Sequence, residues 1–112
     1  MNYDGHLVLL ADFACRGGAM TDASTQLRVV FSGHVQGVGF RQTTTHIARG
    51  FPVTGWVRNL PSGEVELVAE GSQTACGDFL AEIRQRMFEY ISDVRCQWQD
   101  ASHEFEHFEI RY

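Results

Sequence analysis

The stretch Gly33-His34-Val35-Gln36-Gly37-Val38-Gly39-Phe40-Arg41 constrains this chain more than any other. Leu27 to Phe31 alternates apolar and other residues as a half-buried strand does, and Phe40 to Arg49 reads as a helix. Between them lies a short loop with two glycines, followed at once by an arginine. A strand that enters a helix through such a loop gathers the N–H groups of the loop and the first helical turn around one spot, where the helix dipole favours negative charge. Gly37 and Gly39 can take positive φ and put no Cβ between backbone and ligand. Arg41 adds a planar, permanently charged fork whose donors match phosphate oxygens in pairs. The loop therefore reads as a phosphoryl-binding element, although a glycine pair before a helix also satisfies the purely conformational demand of a tight turn.

With 112 residues the chain holds one two-layer core and no more. Its net charge of -5 argues against nucleic acid or an anionic membrane surface as a partner, while leaving room for a local basic pocket. All basic residues are arginine, so a Walker-type phosphate loop and Schiff-base chemistry are both excluded for want of a lysine. Cys15, Cys76 and Cys96 are odd in number and lack Cys-x-x-Cys spacing, which suggests neither a disulfide framework nor a zinc knuckle and fits a reducing cytoplasm. Cys76 and Cys96 fall on apolar faces, as small core residues do. Residues 1–24 differ in texture from the rest and are expected to form a weakly ordered N-terminal extension. They make a poor signal peptide, and Met20 raises the alternative of an overextended gene start.

Val53 to Asn59 reads as a second strand, and Leu60-Pro61-Ser62-Gly63 as a turn with Pro61 at its first central position and Gly63 free to go left-handed. Glu64 to Glu70 returns as a third strand, with Val65, Leu67 and Ala69 on one face and Glu64, Glu66 and Glu70 on the other, expected to be solvated. Ser72 is placed to cap a second helix in which Cys76, Phe79, Leu80, Ile83 and Met87 recur at helical spacing. Val94, Cys96 and Trp98 mark a fourth strand, and Phe108, Ile110 and Tyr112 a short fifth. This order predicts an α+β fold over 25–112, a ferredoxin-like split βαβ sandwich with two helices on one face of a mostly antiparallel sheet. The first two strands, joined by a helical crossover, should run parallel, so that the Val35–Phe40 loop and Asn59 face one cleft.

His103-Glu104-Phe105-Glu106-His107 matches the His-Glu-x-x-His pattern of zinc proteases literally. That pattern binds metal only on a helix, where positions i and i+4 share a face; in a strand the two imidazoles would stand about 13 Å apart. The alternation of Phe108, Ile110 and Tyr112 favours the strand, so no metal site is expected. His34 reads as a solvated rim residue and His46 as structural.

Gly55-Trp56-Val57-Arg58-Asn59 and then Leu60-Pro61-Ser62-Gly63-Glu64, followed by Val-Glu-Leu-Val and taken at this distance from the first loop, closely resemble the acylphosphatase family from about Leu27 to Tyr112. The resemblance implies a small stand-alone enzyme that hydrolyses acyl phosphates to a carboxylate and inorganic phosphate, monomeric and without metal or other cofactor. It assigns phosphate binding to Arg41 and to the backbone N–H groups of Gln36, Gly37, Val38, Gly39 and Phe40. The side-chain amide of Asn59 would orient the attacking water. An acyl phosphate is a mixed anhydride with a good leaving group, so positioning and charge stabilisation suffice without a strong nucleophile. No side chain of the motif is an obvious general base, which leaves a phosphate oxygen of the substrate to accept the proton.

The chain departs from the family pattern at Phe51-Pro52-Val53, where proline rules out a left-handed glycine cap and Gly50 is the candidate to end the helix. The alternative function is a non-catalytic ferredoxin-like module binding a phosphorylated metabolite or a protein partner. The presence of Asn59 beside Arg41 speaks against it, since an anion binder has no use for a water-orienting amide. The acylphosphatase-like domain of hydrogenase-maturation carbamoyltransferases is a related possibility, for which the chain is expected to be too short.

Overall fold

A computed structural model describes residues 24–112; the expectations for residues 1–23 lie outside the described residues. The elements run β1 (Ser24–Gly33), α1 (Phe40–Ala48), β2 (Thr54–Asn59), β3 (Val65–Ser72), α2 (Gln73–Arg86), β4 (Ile91–Asp100) and β5 (Phe108–Ile110). The five strands form one sheet in the order β4-β1-β3-β2-β5. β3 is antiparallel to both neighbours, which makes β1 and β2 parallel to one another, and β5 adds to the outer side of β2 as a further parallel strand. This is the expected α+β, ferredoxin-like architecture.

Register decides which side chains meet. Leu27, Val29 and Phe31 of β1 lie opposite Ala69, Leu67 and Val65 of β3, and Val57 of β2 also lies opposite Leu67. These residues are buried and face the two helices. α1 contributes Phe40, Ile47 and Ala48, and α2 contributes Ala75, Cys76, Phe79, Leu80 and Ile83. Phe31 and Phe40 pack with ring centroids 4.9 Å apart, and Phe79 meets Phe108 edge to face at 5.4 Å. Aromatic contacts of this kind add about 0.5–1.5 kcal/mol beyond area burial, and here they tie α1 to β1 and α2 to β5. Cys76 is fully buried, and its thiol is pushed up to about 12 by desolvation and then by the Glu70 charge, so it is an inert core residue. Cys96 is half-buried and packs against the same core.

The two helices begin differently. Ser72 caps α2, its hydroxyl accepting from the Ala75 N–H at 3.0 Å. α1 starts from Gly39 in the left-handed region, with no side-chain cap and no acidic residue in the first turn. At its far end α1 closes by tightening, with successive bonds from Arg49, Gly50 and Phe51 N–H to the carbonyls of His46, Ile47 and Ala48. Gly50 is not left-handed, so the helix ends in a 3₁₀-like turn that tolerates Pro52 next to it.

The glutamates of β3 correct the sequence reading. Glu66 and Glu70 are 3% and 5% exposed, not solvated. β3 is the central strand, and long side chains from β1 and β2 fold over its outer face. Arg28 and Arg58 each place Nε on the Glu66 carboxylate, at 2.6 and 2.7 Å. Trp56 is flanked by the guanidinium groups of Arg58 and Arg111, 4.9 and 5.1 Å from its ring. Glu70 accepts from the Gln26 side chain and from the backbone N–H groups of Ser102 and His103.

Candidate active site

The carboxyl ends of β1, β2 and β5 lie at one edge of the sheet, because the three strands are parallel. The N-terminus of α1 is at the same edge, since the loop from Gly33 to Gly39 is too short to carry the chain elsewhere. Here an open cavity of about 130 Å³ is lined by Val35, Gly37, Gly39, Phe40, Arg41, Gln42, Asn59, Ile110 and Tyr112. The expected shared cleft is therefore present.

Each side chain reaches the cleft for a local reason. Asn59 is the last residue of β2 and pairs with Val65, in the same parity as Val57 opposite Leu67. It thus stands on the helix side of the sheet, at the strand's end, and it is half-buried. Arg41 is the second residue of α1. Arg28, Arg58, Arg86, Arg95 and Arg111 are each paired with a glutamate. No carboxylate among the described residues pairs with Arg41, whose guanidinium carbon instead lies 5.1 Å from the Tyr112 ring centroid.

The backbone supplies the rest. Gly37 and Gly39 have φ of 78° and 77°, conformations that strain any L side chain. A Cβ added at Gly37 would meet nothing within 4 Å, and one at Gly39 only the far end of Gln42, so backbone conformation and not crowding is what calls for glycine. The first helical bond of α1 runs from Thr43 N–H to Gly39 O at 3.0 Å. The N–H groups of Phe40, Arg41 and Gln42 consequently have no intrahelical acceptor. Among the described residues no backbone carbonyl takes the N–H groups of Gln36 to Phe40 either. An uncapped helix start, two left-handed glycines and an arginine with no carboxylate partner among the described residues meet here, a combination whose electrostatics favour negative charge.

Of the residues singled out in the sequence, Gly37, Gly39, Phe40, Arg41 and Asn59 line the cavity together. Val38 does not; its side chain packs against the core. Gln36 does not line it either. Its side-chain nitrogen donates to the carbonyls of Leu60 and Glu64, each at 2.8 Å, and ties the loop to the β2–β3 hairpin. Within that hairpin Gly63 N–H donates to Leu60 O and Leu60 N–H to Glu64 O, with Gly63 left-handed as the turn requires. The Glu64 carboxylate accepts from Ser32 and Ser62 and pairs with Arg95; the serine hydroxyls chiefly, and then Arg95, hold it below its ordinary pKa against slight desolvation. Sequence reasoning passed over Val35, Gln42, Ile110 and Tyr112 as lining residues. The alternation Phe108, Ile110, Tyr112 carried a usable signal, because a strand parallel to β2 ends where β2 ends.

The His-Glu-x-x-His segment is an irregular connection between β4 and β5, not a helix. His103 has φ of 61°, and His107 pairs with Glu109 at 3.0 Å. Among the described residues no group of three His, Cys, Asp or Glu side chains is placed to hold a metal ion. His34 and His46 are exposed. No described helix is long and apolar enough to cross a membrane.

A ferredoxin-like sheet with an uncapped helix start and an arginine at the shared carboxyl edge of its parallel strands defines a class of small α+β domains. Comparison with known proteins narrows that class. The Acylphosphatase family profile matches residues 27–110. An acylphosphatase of Anaeromyxobacter dehalogenans is 40% identical over 86 residues, covering 76% of this chain and 92% of that protein. One from Salinibacter ruber is 39% identical over 93 residues, covering 80% and 98%. The crystal structure of acylphosphatase from Bacillus subtilis superimposes with a TM-score of 0.73 at 31% identity, covering 79% of this chain and 99% of that one. The chain belongs to the acylphosphatase family, and it is an enzyme that hydrolyses acyl phosphates.

Proposed function

We propose that the cleft performs this hydrolysis without metal, with Arg41 and the loop amides holding the phosphoryl group and Asn59 orienting the water. The observation that carries the reading is the meeting of an uncapped helix start, an arginine with no carboxylate partner among the described residues and a strand-end carboxamide in one cavity. The N–H groups of Gln36 to Phe40 and the Arg41 fork surround the phosphoryl oxygens and neutralise charge as the bond to the acyl oxygen lengthens. Asn59 has both a carbonyl and an NH₂ group, so it can accept from a water while donating to an oxygen nearby. Fixing that water on the far side of the phosphorus from the leaving carboxylate supplies the positioning part of the barrier reduction. The water oxygen bonds to phosphorus, the P–O bond to the acyl group breaks with its electron pair going to the carboxylate, and a phosphoryl oxygen takes the proton.

Purified protein in excess EDTA should release phosphate from benzoyl or acetyl phosphate and leave a phosphate monoester nearly untouched, with inorganic phosphate competing. Activity that disappears with chelator and returns with zinc would overturn the reading.

A further inference from the structure

Gln36 makes a contact that anion binding does not explain. Its side-chain nitrogen reaches across the mouth of the β2–β3 hairpin and donates to two carbonyls, Leu60 O and Glu64 O, both at 2.8 Å. Only the NH₂ end of the carboxamide can satisfy two carbonyl acceptors at once, so the orientation of the amide is fixed by its partners. Each carbonyl already accepts one backbone bond within the hairpin, Leu60 O from Gly63 N–H and Glu64 O from Leu60 N–H, and Gln36 fills the second lone pair. Leu60 directly follows Asn59, and Gly37 directly follows Gln36. The bridge therefore joins the first residue of the phosphoryl cradle to the residue after the water-orienting amide, at an edge where the Ser32 hydroxyl also reaches the Glu64 carboxylate. β3 lies between β1 and β2, so no ladder of hydrogen bonds links the two strand ends directly.

We propose that the Gln36 side chain is a positioning residue that sets the distance and angle between Asn59 and the phosphoryl cradle, and so acts on turnover through Asn59. This rests on the reading of Asn59 as the group that orients the water. A bridge at this place acts on the relation between bound phosphoryl group and nucleophile; Gln36 gives the cradle only its backbone N–H, which a side-chain substitution keeps.

The test is a double-mutant cycle. Gln36→Leu and Gln36→Met remove both donors while filling the space, Met with nearly the same length. In the wild-type background each should lower kcat roughly 10-fold or more, the scale expected when a reacting group is misplaced by less than an ångström. Inhibition by inorganic phosphate should change less than threefold. In the Asn59→Ala background the same substitutions should cost several-fold less in kcat, because the group they position is gone. Two variants guard against a folding failure, and thermal unfolding checks each. Equal losses in both backgrounds would overturn the proposal and make Gln36 merely structural. So would wild-type kcat in both Gln36 variants. If Asn59→Ala alone kept wild-type kcat, the reading of Asn59 would fall instead, and with it the premise of the cycle.

Discussion

Arg41 and Asn59 share a cavity but enter it from different elements, and their removal should be told apart by kinetics. Arg41→Lys keeps a positive charge and loses the planar fork, so phosphate affinity and turnover should both fall. Asn59→Ala leaves the cradle untouched and should lower kcat by about 100-fold or more, with little change in phosphate inhibition. Steady-state rates with phosphate as competitor measure both quantities. A folded Asn59→Ala protein with wild-type kcat would leave Arg41 and the loop amides as the whole apparatus. At this scale most of the site was legible in the sequence. Gly37, Gly39, Arg41 and Asn59 stand in motifs whose chemistry is specific, and all four line the cavity. The Gln36 side chain was not legible, since its contact depends on where the hairpin carbonyls point, and Tyr112 was legible as a strand residue but not as a lining one, which depends on the direction of β5.

Among the elements, β3 shows where a pattern stops being informative. Alternation separates the two faces of a strand, yet it does not say whether the strand is central or at an edge. β3 is central, and neighbours on both sides cover its polar face, so Glu66 and Glu70 are buried with partners. Glu70 anchors the connection between β4 and β5 through two consecutive backbone N–H groups, at 2.7 and 3.0 Å. Burial alone would raise its pKa; the hydrogen bonds from Ser102, Gln26 and His103 outweigh it, and the pKa lies below the ordinary value. The folded protein therefore takes up this proton less readily than the unfolded chain. Its contribution is complete above the unfolded pKa and is lost as pH falls through the lower folded one. Glu70→Ala should cost about 1–3 kcal/mol at pH 7, the scale for leaving buried donors unpaired, and should flatten the decline of stability in acid. Urea unfolding from pH 7 down to pH 3 would measure both. Parallel declines in the two proteins would show that the carboxylate's charge is not what anchors the loop.

For the whole molecule, the family match and the described sheet both cover the chain from the mid-twenties onward. A chain beginning at Met20 should unfold cooperatively and keep near-full activity toward benzoyl phosphate. Loss of cooperativity would show that the first nineteen residues contribute to the fold. The gross architecture followed from element order and crossover handedness, which sequence patterns carry well. The two helices are nonetheless finished in different ways. α2 is finished by its own Ser72, whereas α1 is left open at Gly39. An anion in the cleft would do for α1 what the serine does for α2, so that substrate, product or buffer phosphate becomes the missing piece of a helix. Binding of that kind stabilises the folded state by roughly 2.7 kcal/mol at a hundredfold excess over Kd. If phosphate seats there, a melting temperature taken in phosphate buffer would describe a helix completed from outside the chain.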